Sequence, residues 1–218
     1  MVSQTKSSAA GSGRGTGRHW GNRRPVPGRD ADGVVATILA ASAQVMGEQG
    51  IERTRITDVA VEAGVSPALV SYYFPSRSDL VRETFVFADA RTAEWVSARI
   101  EGLSGRERAT ALLTSLLEVD DVPRASWTLW CQAWPEGLHD AELAGEVHAR
   151  YRRWVDELEA ALGPGHAETA IELTALVDGL APPLLHGWID RARAAAILEA
   201  AVARALDGGR ARRTKERR

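Results

Sequence analysis

Trp127, Trp130 and Trp134 stand at i, i+3 and i+7, so on a helix they share one side. Such a stripe either packs as plain core or forms the wall of a ligand pocket, which is mostly apolar with few polar groups. As a pocket wall, the indole faces attract an organic or amphipathic cation. Asp120, Asp121 and Asp178 are then the candidate anions, and Cys131 lies beside Trp130. Cys131 with His139 or His148 would make a nucleophile–base pair, but nothing in the spacing fixes their geometry, and lone cysteines are usually buried hydrophobes. His139, His148, His166 and His186 show no HExxH or similar metal spacing. No catalytic residue, metal or other cofactor is expected. The run Gly11–Gly17 has neither a strand before it nor a helix after it, so it is not a phosphate loop.

A second constellation lies at residues 50–80, GIERTRITDVAVEAGVSPALVSYYFPSRSDL. A short segment runs from Ile56 to Ala63. Gly64 suits a left-handed turn, and Ser66-Pro67 reads as an N-cap and N1 proline opening a second helix. Pro75 stops that helix after two turns, and Ser76-Arg77-Ser78-Asp79 reads as a capping box opening a long third. Two short helices joined by a glycine turn are the geometry of a helix-turn-helix. Val59, Ala60, Ala63, Val65 and Val70 pack the pair, which leaves Ala68, Leu69, Ser71 and Tyr72 on a side able to enter a major groove.

The elements around these residues are all helical. Apolar residues from Val34 to Met46 recur at helical spacing, with Gly50 as a stop. Beyond Ile100, breaks at Gly102, Pro123, Pro135 and Gly163-Pro164 separate further helices, the last two spanning 166–186 and 190–206. No useful length alternates with period two. The fold class is therefore all-α, with about nine helices. A single cysteine excludes a disulfide framework and fits a cytoplasmic protein. The longest apolar runs fall short of a membrane span, and the N-terminus lacks the apolar core of a secretory signal.

The net charge of −2 is segregated. Residues 1–29 carry six basic residues and no acid, residues 207–218 carry +4, and 30–206 carry −12. An acidic body with basic ends suggests an anionic partner such as nucleic acid, although solvated tails would read the same way. Residues 1–29 are expected to be a disordered basic arm, and 207–218 a disordered basic tail.

Gly50, Thr54, Val59-Ala60, Ala63-Gly64-Val65-Ser66, Tyr73-Phe74, Pro75-Ser76-Arg77 and Leu80 together resemble the DNA-binding domain of the TetR family of bacterial repressors. The match spans residues 30–80. The C-terminal half, with Trp127–Trp134, Trp154 and Val177-Asp178-Gly179-Leu180, is similar to the subgroup that contains the choline-responsive repressor of betaine synthesis. The resemblance implies a helix-turn-helix domain at 30–77 and a helical effector-binding and dimerisation domain at 78–206. It implies double-stranded operator DNA and a small-molecule effector as partners. It also implies a homodimer through 166–206, whose stripes include Ile171, Leu173, Ala175, Leu176 and Leu180, then Ala194, Ile197, Leu198, Ala201, Val202 and Ala205. The different-class alternative is an all-α binding protein or enzyme that uses no DNA.

Carried over by residue, the resemblance puts Ser66, Pro67, Ala68 and Leu69 closest to the DNA, with Ser71, Tyr72 and Tyr73 a turn later and Phe74 in the core. Arg77 is expected to reach a phosphate. Arg55 stands where a Thr or Ser commonly caps the helix, losing a cap worth about 1 kcal/mol; it is a phosphate contact or a flexible surface arginine. A basic residue common at Pro67 and the usual tyrosine at Ser71 are absent. Segment 30–77 also carries a balance of −3. The basic arm is therefore expected to supply the missing attraction, through Arg23, Arg24 and Arg29 in a minor groove. For the effector domain, the −9 balance of 78–206 and the tryptophans favour a cationic or amphipathic ligand held by Trp127, Trp130, Cys131, Trp134 and Asp178.

Overall fold

The computed structural model describes residues 31–118 and 122–216. Among the described residues there are nine helices and no strand. The head comprises α1 (Ala31–Gln49), α2 (Ile56–Glu62) and α3 (Pro67–Tyr73). A long helix, α4 (Arg77–Ile100), leads to α5 (Gly105–Ser115), α6 (Val122–Gly137), α7 (Ala141–Leu162), α8 (Ala167–Leu185) and α9 (Arg191–Glu216). No helix among the described residues is long and apolar enough to cross a membrane.

Local chemistry explains the head. Gly64 takes φ 65° and turns the chain between α2 and α3. The Ser66 hydroxyl oxygen accepts from the Leu69 amide at 3.2 Å, with Pro67 next in the first helical position, where its missing N–H costs nothing. At α4, the Ser76 oxygen accepts from the Asp79 amide at 3.0 Å and its hydroxyl donates to the Asp79 carboxylate at 2.8 Å. At α2, Arg55 does occupy the N-cap and offers no side-chain cap. The Asp58 carboxylate takes over part of that task by accepting the Arg55 amide at 3.2 Å.

Two boundaries differ from expectation. Pro135 does not end α6, which runs on to Gly137. A proline removes one N–H donor, and so near the end of a helix little remains to be disrupted. The basic segment from 207 is not a separate tail in this fold, because α9 continues to Glu216; alanine and arginine are good helix formers.

The interior has two clusters. One joins the head to the first half of α4 and to Leu129 and Ala133 of α6 and Leu143 and Val147 of α7. The other joins the end of α4 to α5, Trp127, the end of α7, α8 and α9. Trp130 packs against both. Phe74 is fully buried in the first, as expected.

An added Cβ at Gly64 would meet no atom within 4 Å, so only backbone conformation opposes a side chain there. Gly64→Ala is expected to lower unfolding free energy by about 1–2 kcal/mol, and Gly64→Asn by less. Urea denaturation of the two variants checks this.

Candidate functional site

The α3 surface separates into two kinds of residue. Ser66, Pro67, Ala68, Ser71 and Tyr72 are exposed, while Leu69 and Tyr73 are half-buried. Tyr72 and Tyr73 meet edge to face, with centroids 5.2 Å apart. Tyr73 packs against the head's core, so it supports the helix as well as bordering its open face. Spacing alone could not tell the two tyrosines apart.

Arg53, Arg55 and Arg77, all the basic residues of segment 30–77, line one shallow cleft beside α2 together with Glu52 and Asp58. Arg53 was not singled out from sequence; its signal was a second arginine two residues before Arg55. Arg77 does not project freely. Its Nη2 donates to the Ile51 carbonyl at 2.5 Å, which leaves its other N–H groups facing the cleft. Arg23, Arg24 and Arg29 lie outside the described residues, as do Asp120 and Asp121.

The second site is a cavity enclosed by α4, α6, α7 and α8. Trp127 and Trp130 of α6, Tyr151 and Trp154 of α7, and Asp178 of α8 line it. Trp127 is fixed by its indole N–H, which donates to the Leu116 carbonyl at 2.6 Å. Trp130 is held edge to face against Phe85, at 4.9 Å between centroids. Of the residues named from the sequence, Trp127, Trp130 and Asp178 line the cavity, and Trp134 and Cys131 do not. Trp134 lies two turns along α6, about 10 Å from Trp127 along the axis. It is 41% exposed and braces Tyr151 from behind, with centroids 5.5 Å apart. Cys131 is about 100° round the helix from Trp130; the residue is exposed as a whole, but its thiol is partly desolvated and close enough to Asp178 that burial, then the Asp178 charge, push it up. Tyr151 and Trp154 are not among the effector residues expected from the sequence. Their i, i+3 spacing was the available signal for a second aromatic wall.

The cavity acids fall into two classes. Asp89 is paired with Arg153 at 2.7 Å and Arg150 at 3.3 Å, and Glu157 with Arg108 at 2.9 Å. Burial pushes the Asp89 carboxyl up, while Arg153 and Arg150 pull it back. Asp178 has no arginine partner among the described residues. Burial pushes its carboxyl up to about 6, and a hydrogen bond from Tyr151 only partly offsets this. The Tyr151 phenol is in turn pushed up to about 12, by burial first and then by the Asp178 charge. The site therefore holds a desolvated carboxylate faced by aromatic rings, a combination that lacks only a cation.

Similarity to known proteins follows the same division. Residues 38–84 match the family model for bacterial regulatory proteins of the tetR family. Residues 105–207 match that for the C-terminal domain of BetI-type transcriptional repressors. The HTH-type transcriptional regulator BetI of Burkholderia ambifaria is 30% identical over 155 residues, covering 66% of this chain and 78% of that protein. Among solved structures, a Rhodococcus sp. protein described as a TetR-family transcriptional regulator is 26% identical. Its TM-score is 0.72, over 80% of this chain and 99% of that one. A transcriptional regulator from Saccharomonospora viridis, solved in complex with choline, has a TM-score of 0.67 at 23% identity, over 78% and 95%.

The raised Asp178 value carries a stability consequence. Its folded pKa of about 6 exceeds the ordinary 3.8, so the folded state prefers the protonated acid and stability falls as pH rises through this window. Once the group is ionised the cost is roughly 3 kcal/mol at 1.36 kcal/mol per unit. Asp178→Asn is expected to be more stable than the parent at pH 8 by up to that amount, and nearly equal to it at pH 4. Urea denaturation at the two pH values checks this.

Proposed function

The chain belongs to the TetR family of bacterial regulatory proteins, with a BetI-type repressor C-terminal domain, and on that premise we propose a homodimeric repressor that an organic cation releases from a palindromic operator. It is a DNA-binding transcriptional regulator, not an enzyme. Each α3 enters a major-groove half-site through Ser66, Pro67, Ala68, Ser71 and Tyr72, with Leu69 and Tyr73 at the margin. Arg55, Arg53 and the free N–H groups of Arg77 take phosphates. The head's balance of −3 against the six basic residues of 1–29 supports a role for Arg23, Arg24 and Arg29 in the electrostatic attraction.

The observation that carries the effector reading is Asp178, the cavity acid without an arginine partner among the described residues, set among Trp127, Trp130, Tyr151 and Trp154. A quaternary ammonium ion fits this wall, because its charge meets indole faces and carboxylate while its methyl groups bury apolar area. Ring attraction of roughly 0.5–2 kcal/mol falls short of the roughly 8 kcal/mol that micromolar binding needs, so methyl burial and Asp178 must supply the rest. The choline in the Saccharomonospora viridis regulator is a ligand of this class and is the probe of choice here.

The dimer surface we propose is the outward side of α8 and α9. Leu173, Ala194, Leu198, Ala201 and Val202, expected from the sequence at the interface, are buried within the subunit's own core and cannot also face a partner. Ile171 and Ala175, also expected there, are exposed, as are Gly179 and Pro182 of α8 and Ala192, Ala196 and Ala200 of α9. They are small or apolar enough for helices of two subunits to approach closely.

Two outcomes are expected. Tyr72→Ala keeps the parent's thermal midpoint but loses retention of its own upstream DNA in a gel shift, whereas Tyr73→Ala also lowers the midpoint. A shift unchanged by Tyr72→Ala would overturn the docking. Choline, charged at every pH, binds the ionised Asp178, so its dissociation constant rises about tenfold per pH unit once pH falls below about 6. Tryptophan fluorescence titration between pH 5 and 8 reads this, with a neutral carbon isostere of choline as the control expected to bind more weakly.

A further inference from the structure

We propose that Gln132 is the positioning residue that couples the aromatic cavity to the DNA-binding head, through the amide of Ile51. This rests on the effector reading above and adds the contact by which it acts. Gln132 follows the cavity residues Trp127 and Trp130 on the same helix, α6. Its Oε1 accepts from the Ile51 N–H at 2.5 Å, across 81 positions of sequence. Its Nε2 donates to the Thr128 carbonyl at 3.0 Å, which fixes the amide so that oxygen, not nitrogen, faces Ile51.

Ile51 sits at the start of the turn that carries α1 into α2, and that turn is gripped on every side. The Ile51 side chain is 1% exposed within the head's core. Its carbonyl accepts from Arg77 at the start of α4, and the Gly50 carbonyl accepts from the Thr54 hydroxyl at 2.8 Å. Gly50 has φ 91°, and a Cβ there would stand 3.2 Å from the Gln132 Oε1, so glycine both permits the turn and leaves room for the glutamine. The hub therefore collects α1, α4 and α6 at the point that aims α2 and α3. A cation wedged against Trp127 and Trp130 displaces α6 as a rigid element. The Gln132 oxygen then leaves the Ile51 amide, and a buried N–H stripped of its acceptor is costly enough to favour a different arrangement of the turn.

The test uses the full chain, with amide hydrogen exchange read across residues 50–73 and choline binding read by tryptophan fluorescence. In the parent, saturating choline is expected to raise exchange at Ile51 and through α2 and α3 about tenfold, a usual size for coupling between sites. Gln132→Met, similar in length but without the acceptor, is expected to bind choline as the parent does, to exchange fast already, and to show no further response. Gln132→Glu keeps an acceptor oxygen and is expected to restore the response. If choline binds and Gln132→Met responds as the parent does, or the parent's Ile51 exchange does not move, the proposal is overturned. Should choline not bind the parent at all, the effector reading fails, and Trp127→Phe then decides the coupling separately. That change is expected to shift Ile51 exchange when residue 132 is Gln and not when it is Met. Equal shifts in the two backgrounds, no shift included, overturn the coupling.

Discussion

The three helices of the head, two of them only seven residues long, bury too little surface to form a stable interior alone, and the placement of the other elements follows from that constraint. The head completes its core with Leu80, Val81 and Phe85 of α4, Leu129 and Ala133 of α6, and Leu143 and Val147 of α7. Helices that also wall the aromatic cavity are thereby built into the DNA-binding head. Trp130 touches both clusters, so the divide between the two functional halves runs through a helix rather than between helices. A ligand that moves this helix cannot leave the head's packing untouched, because packed interiors have little free volume to absorb a displacement.

The cavity is electrostatically incomplete in a specific way. Arginines satisfy Asp89 and Glu157, and those pairs tie α4 to α7 and α5 to α7. Asp178 is left with a phenol as its hydrogen-bond donor. A buried carboxylate without a cation is expensive; the Tyr151 hydrogen bond offsets part of that cost, and the folded state carries the rest above about pH 6. On the cation reading proposed above, the same cost makes the site selective, since a neutral ligand of equal shape leaves the charge uncompensated.

What the sequence disclosed was mostly local. Ser66-Pro67, Gly64 and Ser76–Asp79 each act within a few residues, and the structure uses them as their chemistry dictates. Trp127 and Trp130 were legible because one helix sets their spacing. Contacts closed by tertiary packing were not: Asp89 finds Arg150 and Arg153, and Gln132 finds Ile51, across long stretches of chain that no periodicity connects. The different roles of Tyr72 and Tyr73, and the choice of Ile171 over Leu173 as an outward residue, depend on which side of a helix a neighbour covers. Residue type is silent on that point.

The double membership of α6 divides the cavity wall by how freely it can change. Trp130 stands in the head's packing, and Trp127 shares its helix with Gln132, so substitutions there alter the operator-binding half as well as the pocket. Tyr151 and Trp154, which follow Leu143 and Val147 along α7, and Asp178 of α8 are themselves absent from the head's core. Under the effector reading proposed above, lineages that inherit this architecture drift toward new ligands through the α7 and α8 side while the α6 side stays fixed. An engineer retargeting the sensor would find the permissive positions on the same side.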